Sequence, residues 1–302
     1  MACLLAFAVN AQEDSISVST KVINVSVSVT DKKGETVTGL AKGDFELYEN
    51  NKKTDIAFFS TQDAPVSFGI VYDLHPIFSR QTNAVLRSLE SFTRGLGTDE
   101  DFFLTVFNEY GSLNINFVPT EEQIRRHLSF GERNEPNSLY DAIYFAGNKL
   151  RERTNQKKTL IVISDAKDHQ SDHGFKELQR LFDSFSVQIY TVILDDKDSW
   201  DFGDLSMGER VKRLDIDDSE LDKAAIRELS AASGGGATSP RSGNAVDLYR
   251  IFENIAVETR RRYSLGFYPA EGDTHKVLVK VIRPNGGKLD LNYQKTYRLR
   301  ED

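Results

Sequence analysis

Two apolar runs, each closing on an aspartate, constrain this chain more than any other feature. Pro65-Val66-Ser67-Phe68-Gly69-Ile70-Val71-Tyr72-Asp73 and Leu160-Ile161-Val162-Ile163-Ser164-Asp165 are nearly continuous in branched aliphatic and aromatic residues. Such runs suit strands covered on both faces, the situation of a parallel sheet packed between helices. In an open sheet of that kind only the strand ends reach solvent, and ligands bind outside the carboxyl ends. Each run delivers a carboxylate there. Asp73 and Asp165 are therefore the first candidates for a ligand-binding edge, and two carboxylates offer oxygen donors to a divalent cation.

The segment 64–262 alternates strands with helices. Val85, Leu86, Leu89, Phe92 and Leu96 share a helical face and precede an apolar run at 102–107; Leu139, Ile143, Ala146 and Leu150 repeat the spacing before the Leu160 strand. A helix carrying Phe175, Leu178, Leu181, Phe182 and Phe185, a strand at 187–194 and helices around 219–232 and 245–262 follow. Repeated βα units imply an α/β fold with a doubly wound, mostly parallel sheet. The charged stretch 195–218 lacks periodicity and reads as a long loop. At 16–62 the pattern changes to short strands, as in the period-two Val22-Ile23-Asn24-Val25-Ser26-Val27-Ser28-Val29, and 263–300 reads the same way. Neither end closes a core alone, so the expectation is one β-sandwich built from both, with the α/β segment inserted.

A chain of 302 residues with 39% hydrophobic residues can bury a proper core, and its net charge of −8 argues against nucleic acid as a partner. The dense basic cluster Arg260-Arg261-Arg262 falls at a helix end, where it complements the helix dipole. No apolar run approaches the roughly 20 residues of a membrane span. Residues 1–11 resemble the end of a secretory signal without its charged n-region, and the single cysteine, Cys3, lies inside it. The expectation is an exported protein, periplasmic, at the outer surface or secreted, without thiol catalysis or a zinc–thiolate site.

Several motifs, in order, carry a resemblance. Val27-Ser28-Val29-Thr30-Asp31-Lys32-Lys33-Gly34, Gly43-Asp44-Phe45-Glu46-Leu47-Tyr48-Glu49, Asp63-Ala64-Pro65-Val66, Ser138-Leu139-Tyr140-Asp141-Ala142-Ile143, Ile163-Ser164-Asp165 and Arg262-Tyr263-Ser264-Leu265-Gly266-Phe267-Tyr268-Pro269 span nearly the whole chain. Together they resemble the von Willebrand factor type A-related exported proteins common in acidobacteria. The resemblance implies a type A domain whose sheet edge carries a metal-ion-dependent adhesion site. There an Asp-x-Ser-x-Ser loop, a threonine and a further aspartate hold Mg²⁺, which takes a partner's carboxylate. Asp73 and Asp165 match the two aspartates. The serine positions hold His75 and Ile77, and the threonine falls on Asn137 or its neighbour Ser138.

Isoleucine cannot ligate, and imidazole suits Mg²⁺ poorly. The expectation is accordingly a degenerate site with no cofactor, or a weakly held Mg²⁺ or Mn²⁺ on Asp73 and Asp165. A transition metal on His75 with His169 or His173, Asp168 and Asp172 is the alternative. Against it, Asp168 to Gly174 lies just before a helix, where Ser and Asp residues cap free amides. Ser233-Gly234-Gly235-Gly236-Ala237 follows a helix and lacks a Lys-Ser/Thr pair, so it reads as helix termination and not a phosphate loop. The function expected is a non-enzymatic, adhesion-type module that binds a protein or cell-surface partner through loops carrying Asp73, His75, Asn137, Ser138, Asp165 and His169. The rivals are a metal-dependent hydrolase with Asp73, His75 and His169 around zinc and Asp165 as base, and a scaffold component of an envelope assembly.

Overall fold

The computed structural model describes residues 22–61, 64–74, 79–108, 111–129, 138–168, 171–194, 217–240, 245–282 and 288–299. From the amino terminus come β1 (Ile23–Thr30), β2 (Phe45–Glu49), β3 (Lys52–Thr54) and β4 (Phe58–Ser60). The alternating part is β5 (Val66–Asp73), α1 (Ser79–Arg94), β6 (Asp101–Asn108), β7 (Gly111–Ile115), α2 (Glu121–Ser129), α3 (Leu139–Arg151), β8 (Lys157–Ser164), α4 (Phe175–Asp183) and β9 (Gln188–Ile193). It ends with α5 (Asp217–Ala232), β10 (Gly236–Thr238) and α6 (Ala245–Arg260), after which come β11 (Tyr263–Phe267), β12 (Thr274–Val281), β13 (Asp290–Asn292) and β14 (Thr296–Arg298).

A six-stranded sheet in the order β10-β9-β8-β5-β6-β7 runs parallel except for β7, which pairs antiparallel with β6. Every residue of β5 is buried, as its unbroken apolar character requires, and successive side chains alternate between two cores. Phe68, Ile70 and Tyr72 pack with Val85, Leu89 and Phe92 of α1 and Leu248 and Phe252 of α6. Val71, with Leu160 and Val162 of β8, packs on the other face with Ile143 and Leu150 of α3, Leu178 of α4 and Ile226 of α5. Each such side chain contributes about 1.5–3 kcal/mol on burial.

The two ends of the chain form two further antiparallel sheets, β13-β1-β11-β4 and β14-β12-β2-β3. They share a third core that includes Val25, Val27, Leu47, Tyr263, Leu265, Phe267, Val277 and Val279. The turn from β2 to β3 places Asn50 and Asn51 at φ of +48° and +67°, the left-handed pair that a two-residue hairpin demands. Gly234, at φ +77°, and Gly235 end α5 as expected. The Gly235 amide bonds to the Ser230 carbonyl at 3.1 Å, and a Cβ on Gly235 would sit 2.0 Å from the Ile189 carbonyl oxygen. The stretch then continues into the sheet as β10.

The three arginines at the end of α6 part ways, Arg261 being exposed and Arg260 half-buried. Arg260 donates to Glu100 at 2.6 and 3.0 Å, while Arg262 is fully buried. The Arg262 guanidinium donates to the carbonyls of Ser26 at 3.3 Å, Asn292 at 3.2 Å and Gly234, to the Tyr190 hydroxyl at 3.1 Å and to Glu258 at 2.9 Å. Dipole complementation, expected for the whole cluster, therefore fails to describe Arg262. That side chain pins the terminal sheets to the six-stranded one.

Candidate functional site

The order of the six-stranded sheet reverses between β5 and β8. From β5 the chain moves to β6 on one side and later returns to β8 on the other. The crevice outside the carboxyl ends of such a pair is where doubly wound sheets bind ligands. Asp73 is the last residue of β5, and Ser164 and Asp165 mark the end of β8, so the fold brings both predicted aspartates to this edge.

Their donors are occupied from within. The Ser164 hydroxyl donates to Asp73 Oδ2 at 2.8 Å and accepts the Ala166 amide at 3.0 Å. Asp165 Oδ1 accepts the Lys167 amide at 3.0 Å, and its Oδ2 lies 3.5 Å from Lys167 Nζ. Ala166 takes φ +62°, a left-handed conformation uncommon for a residue with a side chain. Asp73 and Asp165 are only 8% and 7% exposed. Burial pushes the Asp73 carboxyl up to about 7, with the neighbouring Asp165 charge adding to the rise and the Ser164 hydrogen bond opposing it.

The second wall is the start of α3. Ser138 occupies the N-cap position without capping; its hydroxyl donates to Asp141 Oδ2 at 3.1 Å. The free amides of Tyr140 and Asp141 are instead bonded to Asp168 Oδ1 at 3.0 Å and to the Ser171 hydroxyl at 3.1 Å. Asp168 also holds Ser171 in place, accepting its hydroxyl at 2.6 Å and its amide at 3.2 Å. The expectation that this segment caps the helix following it is corrected here. Asp168 and Ser171 cap α3, the helix before β8, whereas α4 is closed by the Gly174 amide bonding to Glu177 Oε2 at 2.8 Å.

Asp141 returns the contact. It accepts the amides of Asp172 at 3.0 Å and His173 at 2.9 Å, and the His173 Nδ1 at 2.7 Å. Tyr144 stacks on the His173 ring with centroids 3.8 Å apart. Burial alone would raise the Asp141 carboxyl, but the His173 amide and ring, the Asp172 amide and the Ser138 hydroxyl hold it below the usual range. From α5, Asp222 accepts the Tyr140 hydroxyl and the Asp168 amide, each at 3.1 Å. Asp141, Lys167 and Asp222 have no part in the predicted site. Only Asp141 left a signal, the Ser-x-x-Asp spacing of Ser138 to Asp141 before an apolar face.

His75, Ile77, Asn137 and His169 lie outside the described residues. An ordinary Mg²⁺ centre needs oxygens that converge on one octahedral ion. Ser164 Oγ, Asp165 Oδ1 and Ser138 Oγ are committed to internal hydrogen bonds, and the Lys167 ammonium already faces Asp165. Of the described members of the alternative set, Asp168 spends its oxygens on the Tyr140 amide and on Ser171, and His173 Nδ1 is bound to Asp141. Among the described residues, no group of three or more His, Cys, Asp or Glu side chains is placed to hold a metal ion. No helix among them is long and apolar enough to cross a membrane.

No family model and no curated protein matches the chain. Solved structures similar to it include an aerotolerance-related membrane protein from Bacteroides fragilis, with 12% identity and a TM-score of 0.43 over 64% of this chain and 98% of that one. The SpaC pilus adhesin of Lactobacillus rhamnosus GG aligns at 11% identity and TM-score 0.43, over 77% of this chain and 36% of the adhesin. The ArnB paralog VWA2 of Sulfolobus acidocaldarius aligns at 12% identity and TM-score 0.38, over 91% and 76%. At these values the likenesses bear on neither ligand nor partner, and the architecture stands on the strand order and registers described above.

Proposed function

We propose that the protein is an exported, non-enzymatic binding module of adhesion type: a type A-like α/β domain inserted in a β-sandwich, which engages a protein or cell-surface partner through the loops at the β5/β8 edge without an ordinary Mg²⁺ ion. One observation carries this reading. Of the two aspartates that reach the switch point, Asp73 is buried against the Ser164 hydroxyl with its carboxyl pushed up to about 7 and Asp165 faces Lys167, while the loop behind them is latched to α3 by hydrogen bonds in both directions. Hydrogen bonds that hold a loop in place before a partner arrives lower the ordering cost of binding it. Catalysis would instead need a nucleophile or an activated water beside a free base.

The test is capture of a partner on the immobilised whole protein, followed by alanine changes at Asp73, Ser138 and Lys167 and addition of a chelator. Binding is expected to fall with the Lys167 and Ser138 changes and to withstand the chelator. Complete loss of binding on chelation, restored by Mg²⁺ or Mn²⁺, would return the site to metal-dependent adhesion.

A further inference from the structure

Away from the β5/β8 edge, α4, the end of α5 and the segment 293–298 enclose a cleft of about 700 Å³. One wall carries Lys176, Arg180 and Asp183 of α4, a second carries Glu228 of α5, and the third carries Lys295 and Arg298. Two of these charges are mutually satisfied, since Arg298 Nε lies 3.3 Å from Asp183 Oδ2. Glu228 accepts from Gln179 at 3.4 Å. Lys176, Arg180 and Lys295 have no acidic partner among the described residues. The lining is thus cationic in a protein whose net charge is −8, the reverse of what random placement of surface charge would give. Arg180 and Arg298 also border a second cavity of about 490 Å³ whose Glu177 and Asp273 balance them, so the cationic excess belongs to the first cleft.

The spacing selects the class of ligand. Lys176 and Arg180 stand one helical turn apart, about 6 Å, and Lys295 comes from a different element. A single phosphate would call for cations and main-chain amides converging on one point, whereas these suit carboxylates repeated along a chain. We propose that this cleft binds an acidic, extended peptide segment of a partner protein, with Lys176, Arg180 and Lys295 pairing its carboxylates. The surface is separate from the β5/β8 edge and independent of any metal there.

The experiment uses the whole chain and a fluorescein-labelled decapeptide of alternating Glu and Ser, followed by fluorescence anisotropy, with the Gln/Ser decapeptide and an oligothymidylate as comparison probes. The Glu peptide is expected to bind, to weaken as salt is raised, and to lose about tenfold in affinity in the triple variant Lys176→Glu, Arg180→Glu, Lys295→Glu. A milder Arg180→Gln, Lys295→Gln variant guards against misfolding and should lose about threefold at unchanged Tm. Reversal of the remote Lys32 and Lys42 should leave the affinity as it is. The proposal is overturned by no binding of the Glu peptide at low salt, by equal binding of the Gln peptide, by tighter binding of the oligothymidylate, or by a triple variant that binds as the parent does.

Discussion

Asp73 is a carboxyl group that the fold places where ionisation is costly. Its pKa rises from 3.8 to about 7 on burial, so the protonated form favours the folded state. That contribution is complete below about pH 3.8 and is lost as pH rises through about 7. Asp73→Asn mimics the protonated group and can still accept from Ser164. Relative to the parent, the variant should gain about 2–3 kcal/mol more stability at pH 8 than at pH 5, read from denaturant unfolding at both values. A variant less stable than the parent at pH 8 would mean that the ionised carboxylate is held by something the geometry does not include. At the same scale, His275 is fully buried with Nδ1 2.6 Å from Glu49 and Nε2 2.9 Å from the Gly272 carbonyl oxygen. The imidazole thereby ties β12 to Glu49 of β2 and to the turn before β12. Its partner is far away in the chain, a pairing that spacing along the sequence does not reveal.

Among elements, the start of α3 and the loop after β8 behave as one unit. Asp168 and Ser171 satisfy two helix amides that nothing within α3 reaches, and Asp141 secures the loop in return. Removal of a cap costs about 0.5–2 kcal/mol. Asp168→Ala and Ser171→Ala should each destabilise by about 1 kcal/mol, and the double change by less than the sum because Ser171 is itself held by Asp168. Hydrogen exchange should rise at the amides of Tyr140 and Asp141; unchanged protection there would show that the caps contribute nothing. Helices with a repeating apolar face were legible beforehand, including α1, α3 and α4. The three-residue strands β3, β10 and β14 were not, since periodicity needs more positions than they contain.

For the whole molecule the decisive residue is Arg262. Its guanidinium joins carbonyls at β1 and β13 to β9, α6 and the turn after α5, inside a boundary from which water is excluded. Arg262→Ala strands the Ser26, Asn292 and Gly234 carbonyls, each unsatisfied buried group costing about 1–3 kcal/mol, whereas Glu258 is 37% exposed and is hydrated instead. Calorimetry should show a lower Tm and separate transitions for the terminal sheets and the α/β part. One cooperative transition at the parent's Tm would dismiss the pin. By itself, the sequence determined the alternation of elements, the covered sheet and the delivery of Asp73 and Asp165 to one edge. Hydrophobic periodicity is local, and a strand's direction decides where its last residue emerges. Only the tertiary structure decided that Lys167 faces Asp165, that Asp168 caps α3 and that Arg262 is interior. Each depends on which hydrogen-bond donor lies across space from which acceptor. Chain spacing does not encode that relation, because packing and desolvation choose among many partners of equal chemistry.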